Sequence, residues 1–200
     1  LAHHFGLASI QCADTLKALG AIAAAYRAGL ELSVIGVTGT NGKTGTKEIV
    51  AALLAGKGPV LKSEKNYNNE IGVPFTLFGA REEHRVAVIE MGMNHSGELD
   101  RLTRIAKPDL AVITNVGQGH LEFLGDVENV ALAKSEIMHG MSAGSTVIVN
   151  RETECFEILK NKAVHLGLVL KTFGLEEGAE YRPDGFSLRP DGIDFTYRGT

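Results

Sequence analysis

Thr38-Gly39-Thr40-Asn41-Gly42-Lys43-Thr44 follows the β-branched run Ser33–Thr38 and leads into a helix-like stretch that ends near Ala55. A strand, a glycine-containing turn and then a helix form a cradle for phosphate. Successive backbone N–H groups point inward as a nest, and the helix N-terminus adds partial positive charge. Lys43 is placed to reach the β- and γ-phosphates of a nucleotide, and the Thr44 hydroxyl to ligate Mg²⁺. The full phosphate-loop pattern asks for glycine at position 37, where this chain has Val37, so only the second half matches and Gly39 stands outside it. The competing reading is a glycine-rich turn with an exposed lysine. Strand before and helix after favour the nucleotide, with Thr38, Gly39, Thr40, Asn41, Gly42, Lys43 and Thr44 as the ATP-binding candidates.

Working outward, Asp14 reads as the N-cap of a helix from Thr15 to about Ala28, with Leu16, Leu19, Ala23 and Tyr26 on one face and Gly29 beyond its end. Further strands are expected at Arg85–Met91, Leu110–Thr114 and Thr146–Asn150, with helices starting near Ser96, Asp126 and Glu152. Short, nearly all-apolar runs alternating with amphipathic helices predict an α/β fold of phosphate-loop NTPase type, a mostly parallel, doubly wound sheet covered on both faces. After about Leu166 the chain changes to short strands broken by Pro183-Asp184-Gly185 and Pro190-Asp191-Gly192, which predicts a small antiparallel addition at a sheet edge.

Composition narrows the partners. With 20 basic and 24 acidic residues the formal charge is −4, so no global field draws nucleic acid and any anion must be held by local geometry. The apolar run Ala18–Tyr26 is too short to span a membrane. Cys12 and Cys155 are too few and too far apart for a disulfide scaffold, which suits a reducing cytoplasm.

In a doubly wound sheet, ligands gather at the carboxyl ends of the strands. Lys43 and Thr44, then Glu90, then Asn115 each stand at such an end. Glu90 closes the strand Val86-Ala87-Val88-Ile89, where a carboxylate needs a partner or a metal to offset its desolvation. His120 follows Gly117-Gln118-Gly119, a turn where a solvated imidazole is as natural as a ligand. Lys134 falls on the apolar stripe Val127, Val130, Ala131, Ile137, Met138 and Met141. Its ammonium either snorkels to water or is buried with a lowered pKa. Glu136, two residues on, is expected to point elsewhere, at the surface or in support of the site. Asn66, Asn68 and Asn69 share a loop with Gly72 and Pro74, and asparagine is a common turn former. Asn94 and His95 are either polar lining or loop residues before a Ser96 cap. His3, His4, His84, His139 and His165 form no metal-spaced set and read as surface groups.

The phosphate loop, Glu90-Met91-Gly92, Thr114-Asn115-Val116 and His120-Leu121-Glu122 together, in this order, resemble the Mur ligases, over about residues 12–200. Asn66-Tyr67-Asn68-Asn69-Glu70-Ile71-Gly72-Val73-Pro74 and Glu90-Met91-Gly92-Met93-Asn94-His95-Ser96-Gly97-Glu98 are most similar to the branch that adds D-alanyl-D-alanine to UDP-N-acetylmuramoyl-tripeptide in peptidoglycan synthesis. The resemblance implies ATP-dependent amide formation through an acyl phosphate, with Lys43 and Lys134 catalytic. It implies Mg²⁺ held by Thr44, Glu90, His120 and Lys134, the last as a carbamate. It places Asn66, Asn68 and Asn69, and with them Asn94 and His95, toward the UDP-linked substrate.

The same resemblance implies a cytoplasmic monomer. Residues 1–30 would be the tail of an N-terminal substrate domain with its linker. Residues 31–200 would be the central ATP-binding domain, incomplete at its C-terminal end and inactive without the C-terminal domain that closes over ATP. Other readings are a Mur-type ligase adding the third stem residue, a folylpolyglutamate synthase, or a nucleotide-binding NTPase module without ligase chemistry.

Overall fold

The computed structural model describes residues 11–119 and 121–197. The first half runs α1 (Thr15–Ala28), β1 (Ser33–Thr38), α2 (Lys43–Ala55), β2 (Val60–Lys62), α3 (Gly72–Phe78), β3 (Val86–Glu90), α4 (Glu98–Ala106) and β4 (Leu110–Ile113). The second half runs α5 (Leu121–Leu124), α6 (Val127–Ser135), a 3-10 turn (Glu136–Gly140), β5 (Thr146–Asn150), α7 (Phe156–His165), β6 (Val169–Phe173), β7 (Gly185–Arg189) and β8 (Gly192–Thr196).

Six strands form one sheet in the order β2-β3-β1-β4-β5-β6, and every pairing in it is parallel. Parallel strands buried on both faces need apolar side chains on both, which is why they read as unbroken apolar runs. Val34, Ala87, Ile89, Ala111, Ile113, Val147 and Val149 belong to the main core with residues of α1, α3, α4, α6 and α7. Val37 and Val88 pack with Ala51 of α2 in a second, smaller cluster. The chain lays β3 on one side of β1 and β4 on the other, so the crevice outside the carboxyl end of β1 is the switch point where such sheets take ligands.

Asp14 caps α1 as expected, its Oδ1 accepting from the Leu16 and Lys17 N–H groups at 3.0 Å each. The expected face of α1 is buried only in part, at Ala23 and half-way at Leu19. The buried face runs through Gly20 and Ala23, while Leu16 and Tyr26 stay 37% and 39% exposed. The helix docks through polar contacts at its end: Tyr26 Oη donates to Ala80 O at 2.9 Å, and the Arg27 guanidinium to Ala106 O and Leu32 O.

The antiparallel expectation for the C-terminal region holds for β7 and β8 and fails for Val169–Phe173. β6 adds in parallel to β5 as the sheet's edge, and the β7–β8 hairpin forms a separate two-stranded sheet. Gly72 and Pro74, read as part of the asparagine loop, open the helix Gly72–Phe78, because proline in a first turn loses no helix hydrogen bond. Helix α4 starts at Glu98 rather than at a Ser96 cap, and α7 starts at Phe156, past the expected Glu152. No helix among the described residues is long and apolar enough to cross a membrane.

Candidate active site

The phosphate loop closes on backbone conformations that favour glycine. Gly39 has φ +150° and Gly42, at the N-cap of α2, has φ +80°. At Gly39 space is lacking too, since a Cβ there would run into Thr114 Oγ1. The loop is stitched to the end of β4: Thr40 N–H donates to Asn115 O at 3.0 Å, and Asn41 N–H to Asn115 Oδ1 at 2.8 Å. Thr114 Oγ1 donates to Asn41 O at 2.6 Å. Lys43 Nζ turns back onto its own loop, donating to Gly39 O at 2.9 Å and Thr40 O at 3.1 Å. Burial lowers the Lys43 pKa below the ordinary lysine value, opposed by the nearby Glu90 charge. Thr38 Oγ1 is fully buried and has no hydrogen-bond partner among the described residues.

Glu90 sits opposite Val37 in the β1–β3 register, which brings its carboxylate beside the loop. It is only 2% exposed. Oε2 accepts from Thr44 Oγ1 at 2.9 Å, Oε1 accepts from Asn68 Nδ2 at 2.9 Å, and Lys47 Nζ lies 3.9 Å from Oε2. The strand ends at Thr38, Glu90 and Asn115 therefore converge, as their spacing predicted.

Lys47 and Ser63 were not among the sequence candidates. The fully buried Lys47 donates to Ser63 O at 2.8 Å and pairs with Glu48 at 3.0 Å, and Ser63 Oγ accepts from the Glu90 N–H at 3.0 Å. The available signal was helical spacing. Lys43, Lys47 and Ala51 recur every four residues, so a lysine stood on the inward face of α2, the same anomaly that marked Lys134.

Lys134 is 1% exposed, so its stem does not lie along the surface as the snorkelling alternative requires. Burial, with the Lys43 charge added, pushes its pKa down to about 7. An amine that is half neutral near pH 7 is a nucleophile, which an exposed lysine at that pH is not.

The Mur ligase middle domain family matches residues 37–199, which takes in the loop, Glu90 and Lys134. The chain belongs to the Mur ligase family. The UDP-N-acetylmuramoyl-tripeptide–D-alanyl-D-alanine ligase of Bacillus subtilis is 40% identical over 186 residues, covering 93% of this chain and 39% of that protein. A crystal structure of MurF from Acinetobacter baumannii superposes with a TM-score of 0.85 at 33% identity, covering 94% of this chain and 43% of that one. A MurF ligase structure from Thermotoga maritima in complex with ADP gives a TM-score of 0.82 at 27% identity, over 94% of this chain and 45% of that one. The chain thus spans about two fifths of the length of these relatives.

In this Mur ligase middle domain the asparagine loop divides its labour. Asn68 is engaged with Glu90, and Asn69 Oδ1 accepts from the Gly72 N–H at 2.8 Å, starting α3. Asn66 and Asn69 line a cavity of about 260 Å³ with Tyr67, Ile71 and Phe75. Asn69 and Asn94 line a neighbouring one of about the same volume, with Glu70, Gly92 and Glu98. The Asn94 N–H donates to Glu98 Oε2 at 2.7 Å, and His95 Nδ1 lies 3.1 Å from Glu98 Oε1. His120 lies outside the described residues, as do His3 and His4. His139, read as a surface group, is instead part-buried with Nδ1 2.7 Å from Asp100 Oδ1.

Glu136, expected at the surface or in support of the site, is buried in a polar clasp. It is 8% exposed, and its carboxylate accepts from Ser96 Oγ, from the Gly97 N–H with both oxygens, and from the Asp100 N–H. The surface alternative fails. The helix ends at Ser135, and the 3-10 turn that follows changes the phase.

Among the described residues no group of three or more His, Cys, Asp and Glu is placed to hold a metal. The pair Thr44 Oγ1 and Glu90 Oε2, two hard oxygens side by side at the phosphate loop, still fits Mg²⁺. In nucleotide sites that ion takes one or two protein oxygens and completes its shell with phosphate and water.

Proposed function

We propose that the protein carrying this domain is an ATP-dependent ligase that joins D-alanyl-D-alanine to UDP-N-acetylmuramoyl-tripeptide. In this reading residues 31–200 are its central ATP-binding domain, and residues 1–30 link to the UDP-substrate domain. A carboxylate oxygen of the tripeptide attacks the γ-phosphorus. The new O–P bond forms as the bond to the β-phosphate oxygen breaks, and ADP leaves. The dipeptide amine then adds to the acyl carbon. The C–O bond to phosphate breaks, phosphate departs, and the amine's surplus proton passes to solvent. Two anions must meet in the first step, so positive charge and oriented N–H groups at the transferring phosphoryl group carry the catalysis.

Each residue has a part. Gly39 to Lys43 cradle the phosphates through backbone N–H groups, and the Lys43 ammonium neutralises the transferring group. Thr44 and Glu90 would hold Mg²⁺, with His120 and modified Lys134 as the further ligands the family implies. Bound magnesium would shield the nucleotide and carboxylate charges from one another. Neutral Lys134 nitrogen adds to the carbon of CO₂: an N–C bond forms, one C=O electron pair moves to oxygen, and an N–H proton goes to solvent. The product is a carbamate anion where a buried cation stood. Asn66, Asn68, Asn69, Asn94 and His95 are the residues offered to the UDP-linked substrate, and the cavities lined by Asn66, Asn69 and Asn94 support this.

The observation that carries the ligase reading over a plain NTPase module is Lys134. A lysine 1% exposed, with its pKa pushed down to about 7 by burial and the Lys43 charge, has no use in nucleotide binding alone. The test is phosphate release by the full-length protein with UDP-N-acetylmuramoyl-tripeptide, with and without D-alanyl-D-alanine. Release that needs the dipeptide supports the ligase. Release indifferent to it supports the NTPase module.

A further inference from the structure

Glu136 belongs to the segment just after Lys134, yet its carboxylate closes the N-terminus of α4, on the loop that leaves Glu90. All its contacts are as acceptor. Ser96 Oγ donates at 2.9 Å, the Gly97 N–H at 2.8 and 2.9 Å, and the Asp100 N–H at 3.2 Å. A helix N-terminus leaves N–H groups unpaired and carries partial positive charge, so a buried carboxylate is well placed there. The clasp continues down the same two elements. His139 Nδ1 meets Asp100 Oδ1 at 2.7 Å, and Thr103 Oγ1 donates to Ile137 O at 2.6 Å.

We propose that Glu136 is a positioning residue that fixes Lys134 relative to Glu90, by locking the chain after Lys134 to the chain after Glu90. The loop it grips, Met91 to Gly97, begins at Glu90 and also carries Asn94 and His95. An ordinary helix cap could come from the local sequence, and Ser96 or an aspartate at position 97 would serve. Here the cap comes from across the fold, from the segment that bears Lys134. The inference rests on reading Glu90 and Lys134 as the two anionic groups of one metal site.

The test uses the full-length enzyme and readouts other than turnover. Mn²⁺ binding in the presence of ADP is followed by EPR, and the Lys134 carbamate by ¹³C NMR after equilibration with ¹³C-bicarbonate. Glu136→Gln keeps the size but turns one acceptor oxygen into an NH₂ that faces N–H donors. It is expected to weaken Mn²⁺ binding by about 10- to 100-fold, the usual cost of losing support behind a metal ligand, and to weaken the carbamate signal. Ser96→Ala, which removes one donor, shifts both in the same direction by less. Asp14→Ala removes the cap of α1, whose hydrogen bonds stay within that helix, and lowers the melting temperature without moving either readout.

If Glu136→Gln behaves like Asp14→Ala, losing melting temperature alone, Glu136 is a cap and the proposal is overturned. If Glu136→Gln does not fold, Ser96→Ala decides, and unmoved Mn²⁺ binding overturns it. A wild-type enzyme that binds Mn²⁺ but ligates nothing would end the ligase reading and leave this test intact.

Discussion

Thr44 Oγ1 donates a 2.9 Å hydrogen bond to Glu90 Oε2, tying the first turn after the phosphate loop to the end of the neighbouring strand. The same two oxygens are the pair offered to magnesium. Thr44→Val should lower stability by about 1–2 kcal/mol, because a buried acceptor loses a donor. It should also raise the Mg²⁺ concentration needed for half-maximal activity more than tenfold. Thr44→Ser should restore both. Urea melts and a Mg²⁺ titration of activity measure the two effects, and a serine variant as impaired as valine would contradict this role.

Gly39 is required twice, by its φ of +150° and by the Thr114 side chain that would meet a Cβ. Gly39→Ala should therefore destabilise the domain by roughly 2–3 kcal/mol, the range for a strained backbone position with a clash added. Urea denaturation with an unchanged slope and a lower midpoint is the expected result. A midpoint within error of wild type would show that the loop relaxes freely.

How much of this was legible in the sequence follows from where local chemistry decides structure. Ser33–Thr38, the loop and α2 up to Ala55 could be read closely, because β-branched residues, glycines and an amphipathic run mark their own boundaries. Val60–Lys62 was passed over because a three-residue strand carries no periodicity. The direction of Val169–Phe173 was misread because pairing partners are set by the topology, and a half-exposed edge strand looks alike in either sense. Among site residues, Glu90 and Lys134 stood out as charges in apolar runs. Lys47 was missed although it stands one helical turn after Lys43, and Glu136 was placed only as surface or support, because its partners depend on the helix ending at Ser135.

Lys134 gives stability a pH dependence of definite sign. Its pKa is about 7 in the fold against the ordinary lysine value of 10.5, so between these limits the unfolded chain binds more protons. In CO₂-free, metal-free buffer, stability should rise as pH increases from about 7 to about 10.5, with a slope of up to ~1.4 kcal/mol per pH unit from this group. The gain should disappear as pH falls through 7. Lys134→Met should remove that slope and be the more stable protein at pH 6. Denaturant midpoints across this range test it, and parallel profiles for the two proteins would mean that the amine is solvated.

Asn68 holds Glu90 from the side opposite Thr44, its Nδ2 donating to Oε1 at 2.9 Å. Asn68→Asp changes little in shape but puts two carboxylates in contact, so one must take up a proton. The variant should lose roughly 2–4 kcal/mol at pH 8 and recover much of it near pH 5. Thermal melts at the two pH values check this. A pH-independent loss would place Asn68 elsewhere than on Glu90.

The central claim is that this domain serves acyl-phosphate chemistry at the end of β1. It is tested most directly by labelling the reacting carboxylate of UDP-N-acetylmuramoyl-tripeptide with ¹⁸O, supplying ATP and D-alanyl-D-alanine to the full-length enzyme, and analysing the released phosphate by mass spectrometry. The account predicts one ¹⁸O transferred per phosphate, since the attacking oxygen leaves with phosphorus when the amine displaces it. Phosphate free of ¹⁸O, released while peptide forms, would contradict it.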